Sequence, residues 1–450
     1  MKKLLAFILL ALSFNTAQAQ LTKEEKKLME YIDANMPRAI ELLKESVNVN
    51  SGTLNIEGVK KVGAIYRREL EKAGMQTEWV SMPDSIKRAG HLVASTPMAY
   101  QVNTNQANDA NNNPKNSKKP KGKKLFLIGH LDTVFEPDMP ANPFTMINDS
   151  TATGQGANDM KGGDVVMIIA LQALQAQGLL KDAAITAYFT GDEEHAGYPR
   201  EVSRGDFIER AKKAEVALAF EGANGLRSVA TARRGASGWK LEVNAKTGHS
   251  SGVFTPFAGY GAIYEASRIV NSFREQLSQE KYLTFNPGLF IGGSDMQYDD
   301  AKSFGSTIGK TNIIAPSAVV IGDLRFLTEE QKNKARAVMS TIVNNNNLTG
   351  ARAKITFQDG IPSMAPTEGN DRILNIISGV TVDMGLGATV AGDPGSRGAG
   401  DISYIAAYVD CIDGLGASGR GAHAVGETIN LNELPFLIKR AALTMHRLTK

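Results

Sequence analysis

A single cysteine, Cys411, in 450 residues excludes any intrachain disulfide. The fold must therefore rest on its core alone, which a chain of this length and 42% apolar content can build. Cys411 lies in an apolar stretch and reads as a small buried residue rather than a nucleophile. Charge of one sign is also missing. The formal net charge is +3, and it falls by two if Lys2 and Lys3 leave with a cleaved leader. That balance gives no electrostatic reason to expect nucleic acid or an anionic membrane as partner. No apolar run reaches the roughly 20 residues of a bilayer-spanning helix.

What is present begins with a leader. Met1-Lys2-Lys3, the short apolar stretch Leu4 to Leu12 and the small-x-small triplet Ala17-Gln18-Ala19 form a signal peptide pattern over 1–19. No cysteine follows that triplet, which argues against a lipid anchor. The mature chain is expected to be soluble and exported, periplasmic or secreted.

Residues 21–80 read as two helices around a loop, followed by strands at Gln76 to Val80 and from His91. The stretch from about 96 to 123, rich in Asn, Lys and Pro, has almost no apolar content and predicts a mobile surface insertion. Beyond it, buried-looking strands at Leu125 to Ile128, Ala184 to Thr190 and Ala214 to Phe220 alternate with a helix over Asp164 to Ala176. Strands alternating with helices imply a doubly wound, mostly parallel α/β sheet. The pattern changes at Gly238, where side chains alternate with period two. Residues 237–349 thus read as an inserted α+β unit. The first domain is discontinuous, with parts at 20–236 and 350–450.

Functional side chains fall at the predicted strand ends, where open α/β sheets place their ligands. His130 ends one strand and Asp132 follows two residues later. Gly154 to Gly163 is a glycine-rich turn around Asp159. It lacks both the phosphate-loop spacing and the dinucleotide fingerprint, and Asp159 reads either as a ligand or as a helix cap. Asp192-Glu193-Glu194 follows the strand ending at Thr190. Three adjacent carboxylates repel one another, so they form either a solvated acidic turn or a cation site. Glu221 and His423 lie at two further strand ends. His195 reads as a loop residue facing solvent, and His91 and His446 carry no assigned role.

Gly129-His130-Leu131-Asp132-Thr133-Val134, Asn158-Asp159-Met160-Lys161-Gly162-Gly163 and Asp192-Glu193-Glu194 together resemble the signatures of the dinuclear-zinc metallopeptidases. These include glutamate carboxypeptidase, succinyl-diaminopimelate desuccinylase, acetylornithine deacetylase and aminoacylase. The resemblance spans nearly the whole mature chain and implies amide hydrolysis. By motif, His130, Asp159 and Glu221 would hold one zinc, and His423, Glu194 and the shared Asp159 the other. Cobalt or manganese could replace either ion. Asp132 would orient His130, and Glu193 would be the general base. The insert matches the family's ferredoxin-like lid, which pairs two copies into a homodimer. His249 takes the place of the lid histidine that stabilises the oxyanion, supplied in dimers by the partner. Asn312 and Arg325 resemble residues gripping a substrate carboxylate, and Gly400 lies in a glycine loop lining the site.

Glutamate at position 221 is associated with carboxypeptidases and deacylases. The resemblance therefore implies release of C-terminal amino acids from small peptides or, alternatively, cleavage of N-acyl amino acids. Asp359-Gly360-Ile361-Pro362 offers no obvious cation for a glutamate side chain. A catalytically dead zinc-stabilised binding module and a nucleotide enzyme are the competing classes. The intact Glu193 opposes the first, and the missing phosphate-loop lysine opposes the second.

Overall fold

The computed structural model describes residues 21–100, 119–299 and 304–450. The expected leader at 1–19 and most of the insertion at about 96–123 lie outside them.

The strand Leu125–His130 is buried along its whole length. Leu125 and Leu127 join one core, and Phe126 and Ile128 join another on the opposite side. A strand buried on both faces belongs in the middle of a layered sheet. The sheet has six strands, in the order Gln76–Val80, His91–Ser95, Ile185–Thr190, Leu125–His130, Val216–Ala219, Asp410–Ile412. The last four run parallel, and two antiparallel pairings add the outer pair. Ile185–Thr190 lies on one side of Leu125–His130 and Val216–Ala219 on the other. The winding therefore reverses at this central strand, and such reversals open a crevice at the strand C-termini. His130 stands at that point.

Helices layer both faces. Lys161–Ala176 and Leu434–Thr449 pack together on one face, with helices from the N-terminal region and Glu368–Asp383 around them. Arg200–Ala211 covers the other, burying Phe207 and Ala211. The N-terminal region holds three helices, Lys23–Ala34, Met36–Val47 and Ile56–Lys72, rather than two. The extra break follows from Pro37, which has no amide to continue the first helix but suits the first turn of the next.

The insert is a second layered unit. Its antiparallel sheet runs Thr284–Gly293, Ser317–Phe326, Gly235–Ala245, Ala351–Ile361. Helices Ala262–Leu277 and Glu329–Asn344 pack on it, enclosing Trp239, Leu241, Phe273, Val320 and Met339. The β-α-β-β-α-β order is ferredoxin-like. Its limits differ from 237–349. Ala351–Ile361 is the sheet's fourth strand, pairing with Gly235–Ala245, and its Ala353, Ile355 and Phe357 pack on the insert's core. The insert thus extends to Ile361, where Pro362 cannot donate to a further ladder bond.

Candidate metal centre

Three strand ends and two loops converge in the crevice. His130 closes the central strand and pairs in register with Thr190. Its Nδ1 lies 3.0 Å from the Asp132 carbonyl, which fixes the N–H on that side and turns the Nε2 lone pair into the crevice. Nε2 is 3.2 Å from Asp159 Oδ1 and 3.8 Å from Glu221 Oε1. The other Asp159 oxygen, Oδ2, is 3.0 Å from His423 Nε2. His423 Nε2 is in turn 3.3 Å from Glu194 Oε2. One carboxylate therefore faces two imidazoles from opposite oxygens, with a further carboxylate beside each. Ligand atoms of His130, Asp159 and Glu194 lie within 4.8 Å of one another, as do those of His130, Glu193 and Glu221.

The Asp132 carboxylate also has a task that its spacing does not suggest. Oδ1 accepts the Glu193 amide at 3.0 Å, and Oδ2 accepts the Glu194 amide at 3.1 Å and the Thr53 hydroxyl at 2.6 Å. Oδ1 stands 3.6 Å from His130 Nδ1, so the carbonyl makes the hydrogen bond to the ring while the carboxylate lies beside it and clamps the acidic loop. Asp192, the first acid of the triplet, points away from the crevice. It accepts from Gly197, Ser203 and the buried Arg204, which also binds Asp401 at 2.8 Å. The acidic triplet is thus divided, with one member anchoring the loop and two facing the crevice.

The Asp159 loop is held from below by Glu427, whose carboxylate accepts the amides of Gly156, Asn158 and Asp159 at 3.1, 2.6 and 2.8 Å. Nothing in the sequence marks Glu427, Thr53 or Arg204 for these tasks. Thr53 and Glu427 act across 79 and more than 260 residues of chain, and Arg204 joins Asp192 to Asp401, 197 residues from it. Lys161, inside the Asp159 motif, is also buried and donates to the Val49 carbonyl at 2.9 Å.

Electrostatics show how strongly this cluster requires cations. Burial and repulsion from Asp159 push Glu221 up to about 8. Burial and Glu221 hold Glu193 well above the usual carboxylate range. Hydrogen bonds to Asp159 and Glu194 push His423 up to about 11. Glu194 Oε1 is buried without a hydrogen-bond partner. Imidazole nitrogens and carboxylate oxygens form the donor set that zinc accepts, and dications relieve such carboxylate crowding. The residues present fit a pair of metal ions.

The remaining expected residues lie apart from this cluster. His249 and Asn312 meet each other on the insert, where the Ser250 amide donates to the Asn312 carbonyl at 2.9 Å and His249 bridges Ile313. Both are exposed. Arg325 stands near the opposite end of the strand Ser317–Phe326, beside Asp323 at 2.9 Å. Eight residues of strand at roughly 3.4 Å each separate Ser317 from Arg325, about 27 Å. Gly400 packs on the Arg233 guanidinium; a Cβ there would come within 2.5 Å of Nη1. Arg233 itself is tied to Asp413 and to the Gly398 and Ala399 carbonyls. His195 is exposed, as its position implied. His91 is buried between the Ser203 carbonyl and the Gly191 amide, a support for the acidic loop. Cys411 is buried, and burial pushes its thiol pKa upward.

Residues 126–447 match the model of peptidase family M20/M25/M40. The chain belongs to this family. It is 25% identical over 436 residues to carboxypeptidase G2 of Pseudomonas sp. (strain RS-16), covering 96% of this chain and 94% of that protein. Among solved structures, aminopeptidase PepT of Bacillus cereus ATCC 10987 superposes with a TM-score of 0.68 at 18% identity, covering 92% of this chain and 99% of the other. The YXEP protein of Bacillus subtilis, described as a dinuclear metal-binding peptidase of the M20 family, gives 0.61 at 14% identity over 93% and 100%. The M20 chain described here is a metal-dependent hydrolase of carboxypeptidase-like or deacylase-like type, with the fold its motifs implied.

Proposed function

We propose that this M20 protein is an exported two-zinc carboxypeptidase that releases C-terminal amino acids from small peptides, with Glu193 as general base. The observation that carries the reading is Asp159, whose two oxygens face His130 and His423 separately. His130, Asp159 and Glu221 would hold one ion, and His423, Asp159 and Glu194 the other. When bound, such a pair acidifies a water and polarises the scissile carbonyl.

The chain's own residues supply the rest. Asp132 fixes the Glu193 and Glu194 amides, so both carboxylates keep their place in the crevice as charge moves. Glu193 has its pKa raised by burial and by Glu221. It takes the proton from the attacking water and passes it to the leaving nitrogen. Arg325 and Asn312 would hold the substrate carboxylate, and His249 the oxyanion. Because His249 and Asn312 lie in loops beyond the Ser317 end of the strand that carries Arg325 near its other end, the reading assigns His249 and Asn312 to the site of a second copy in a homodimer joined through the lid.

A Glu193→Gln variant that retains two zincs should lose hydrolysis by several orders of magnitude; full activity would reject the base assignment. A panel of dipeptides varied at the C-terminus and of N-acyl amino acids, read by amine release, separates peptidase from deacylase. Turnover on neither class would reject both. Export is checked by the N-terminus of the mature protein, expected near residue 20. The dimer is checked by dilution, which should lower specific activity.

A further inference from the structure

A cavity of about 880 Å³ lies between the helix Ile56–Lys72 and the segment 81–89. None of its lining residues is a candidate metal ligand. Four cations line it, Lys60, Arg67, Lys87 and Arg88, against the single carboxylate of Asp84. Only Lys60 has a carboxylate partner, Glu57 at 3.3 Å, on an exposed face where such pairs are weak. Arg67 Nε is buried without a hydrogen-bond partner. Lys87 is held at φ 53°, a left-handed conformation that residues with a Cβ rarely adopt. Arg88 donates Nε and Nη1 to backbone carbonyls, including that of His195 at 2.7 Å, and keeps Nη2 for a ligand. The lining also has an apolar part. Trp79 lines the cavity with its indole N–H already satisfied by the Ala89 carbonyl at 3.0 Å, and Met82 lies alongside.

Cations in excess of carboxylates on both the helix and the 81–89 segment, together with an indole, are complementary to one kind of ligand. We propose that this cavity binds a small amphipathic organic anion, with its carboxylate on Arg67, Lys87 and Arg88 and its apolar body on Trp79 and Met82. Its size is within the usual range of ligand pockets, roughly 300–1,000 Å³. The pocket does not depend on the metal centre, although its walls reach the acidic loop. A Cβ on Gly191 would meet the Gly90 carbonyl and Val59, and one on Gly197 would meet Ile86 and Arg88.

The test uses the zinc-loaded mature protein with octanoate as probe and octanamide as its neutral match, followed by calorimetry and by intrinsic fluorescence. Octanoate should bind saturably, with a fluorescence change that disappears in Trp79→Phe. Its affinity should drop by about tenfold or more in an Arg67→Met/Lys87→Met variant, the scale of losing charge-assisted hydrogen bonds. Circular dichroism and the melting temperature of that variant confirm that it is folded. Equal binding of octanamide, unchanged affinity in the double variant or a signal that survives Trp79→Phe would each overturn the proposal.

Discussion

Arg204 is the strongest test of how the acidic loop is held. Its side chain is 1% exposed and lies between two carboxylates that are themselves buried. Nη1 donates to Asp192 Oδ1 at 2.5 Å, Nη2 to the Asp192 carbonyl at 3.1 Å and Nε to Asp401 Oδ1 at 2.8 Å. Asp192 opens the loop of Glu193 and Glu194, and Asp401 follows the glycine loop at Gly400. One guanidinium therefore joins two walls of the crevice. Replacing it with Met keeps the volume but leaves two buried carboxylates without their cation, which costs about 3–5 kcal/mol. For a catalytic domain of roughly 300 residues, unfolding entropy near 2.1 cal/mol/K per residue converts this to about 5–8 °C in melting temperature.

The loss should depend on pH. Burial raises the pKa of Asp192, but the Arg204 charge and the Gly197 and Ser203 hydrogen bonds outweigh it and hold the group below its ordinary value. A depressed carboxylate pKa contributes stability above the unfolded value and loses it as pH falls through the folded one. The gap between the wild type and Arg204→Met should thus be full at pH 7 and close as pH falls below about 4. Differential scanning calorimetry across this range reads both effects. Arg204→Lys should recover part of the loss, since it returns the charge without the fork. A variant that melts with the wild type at pH 7, or a gap that stays constant down to pH 3, would refute the reasoning.

Two further predictions concern the supports of the fold. Glu427→Gln replaces a carboxylate that accepts three amides with a group whose NH₂ opposes one of them, so zinc affinity should fall by about 10- to 100-fold, measured by competition with a chromophoric chelator. Glu69 is buried beneath Arg38, Arg68 and Lys72 and receives Gln172 from the Lys161–Ala176 helix. Burial raises its pKa, but these hydrogen bonds more than reverse the effect and take it to about 2. Glu69→Gln should cost about 1–3 kcal/mol at pH 7 in denaturant unfolding, a difference that fades between roughly pH 4.5 and 2.

The chemistry of this chain was legible where one side chain at one strand end carries it. His130, Asp159, Glu193, Glu194, Glu221 and His423 each follow an apolar run or sit in a glycine turn, and an open sheet gathers such positions at one crevice. The ferredoxin-like insert was legible for a related reason, since Gly238 onward alternates with period two. Its far boundary was not, because Ala351–Ile361 is half-exposed and its pattern alone does not say which sheet it joins. The supports were hidden for another reason. Asp132 stands beside His130 as its spacing suggests, but its hold on the Glu193 and Glu194 amides was hidden, because an amide is a group almost every residue has.

The hidden supports and the visible ligands have one physical origin. Packing acidic side chains into a crevice makes the loop that carries them unstable, so the fold must restrain its backbone by groups outside the crevice. Asp132 does so through the Glu193 and Glu194 amides, Glu427 through three amides around Asp159, and Arg204 through Asp192 and Asp401. All three are buried, and each binds backbone or a neighbouring loop rather than a candidate ligand's side chain. Among the candidate ligands, Glu194 is left with an oxygen unspent, its unpartnered Oε1. A crevice whose loops are held from outside while its acids face only imidazoles and one another suits cations, and removing an outside support should weaken metal binding before it unfolds the domain.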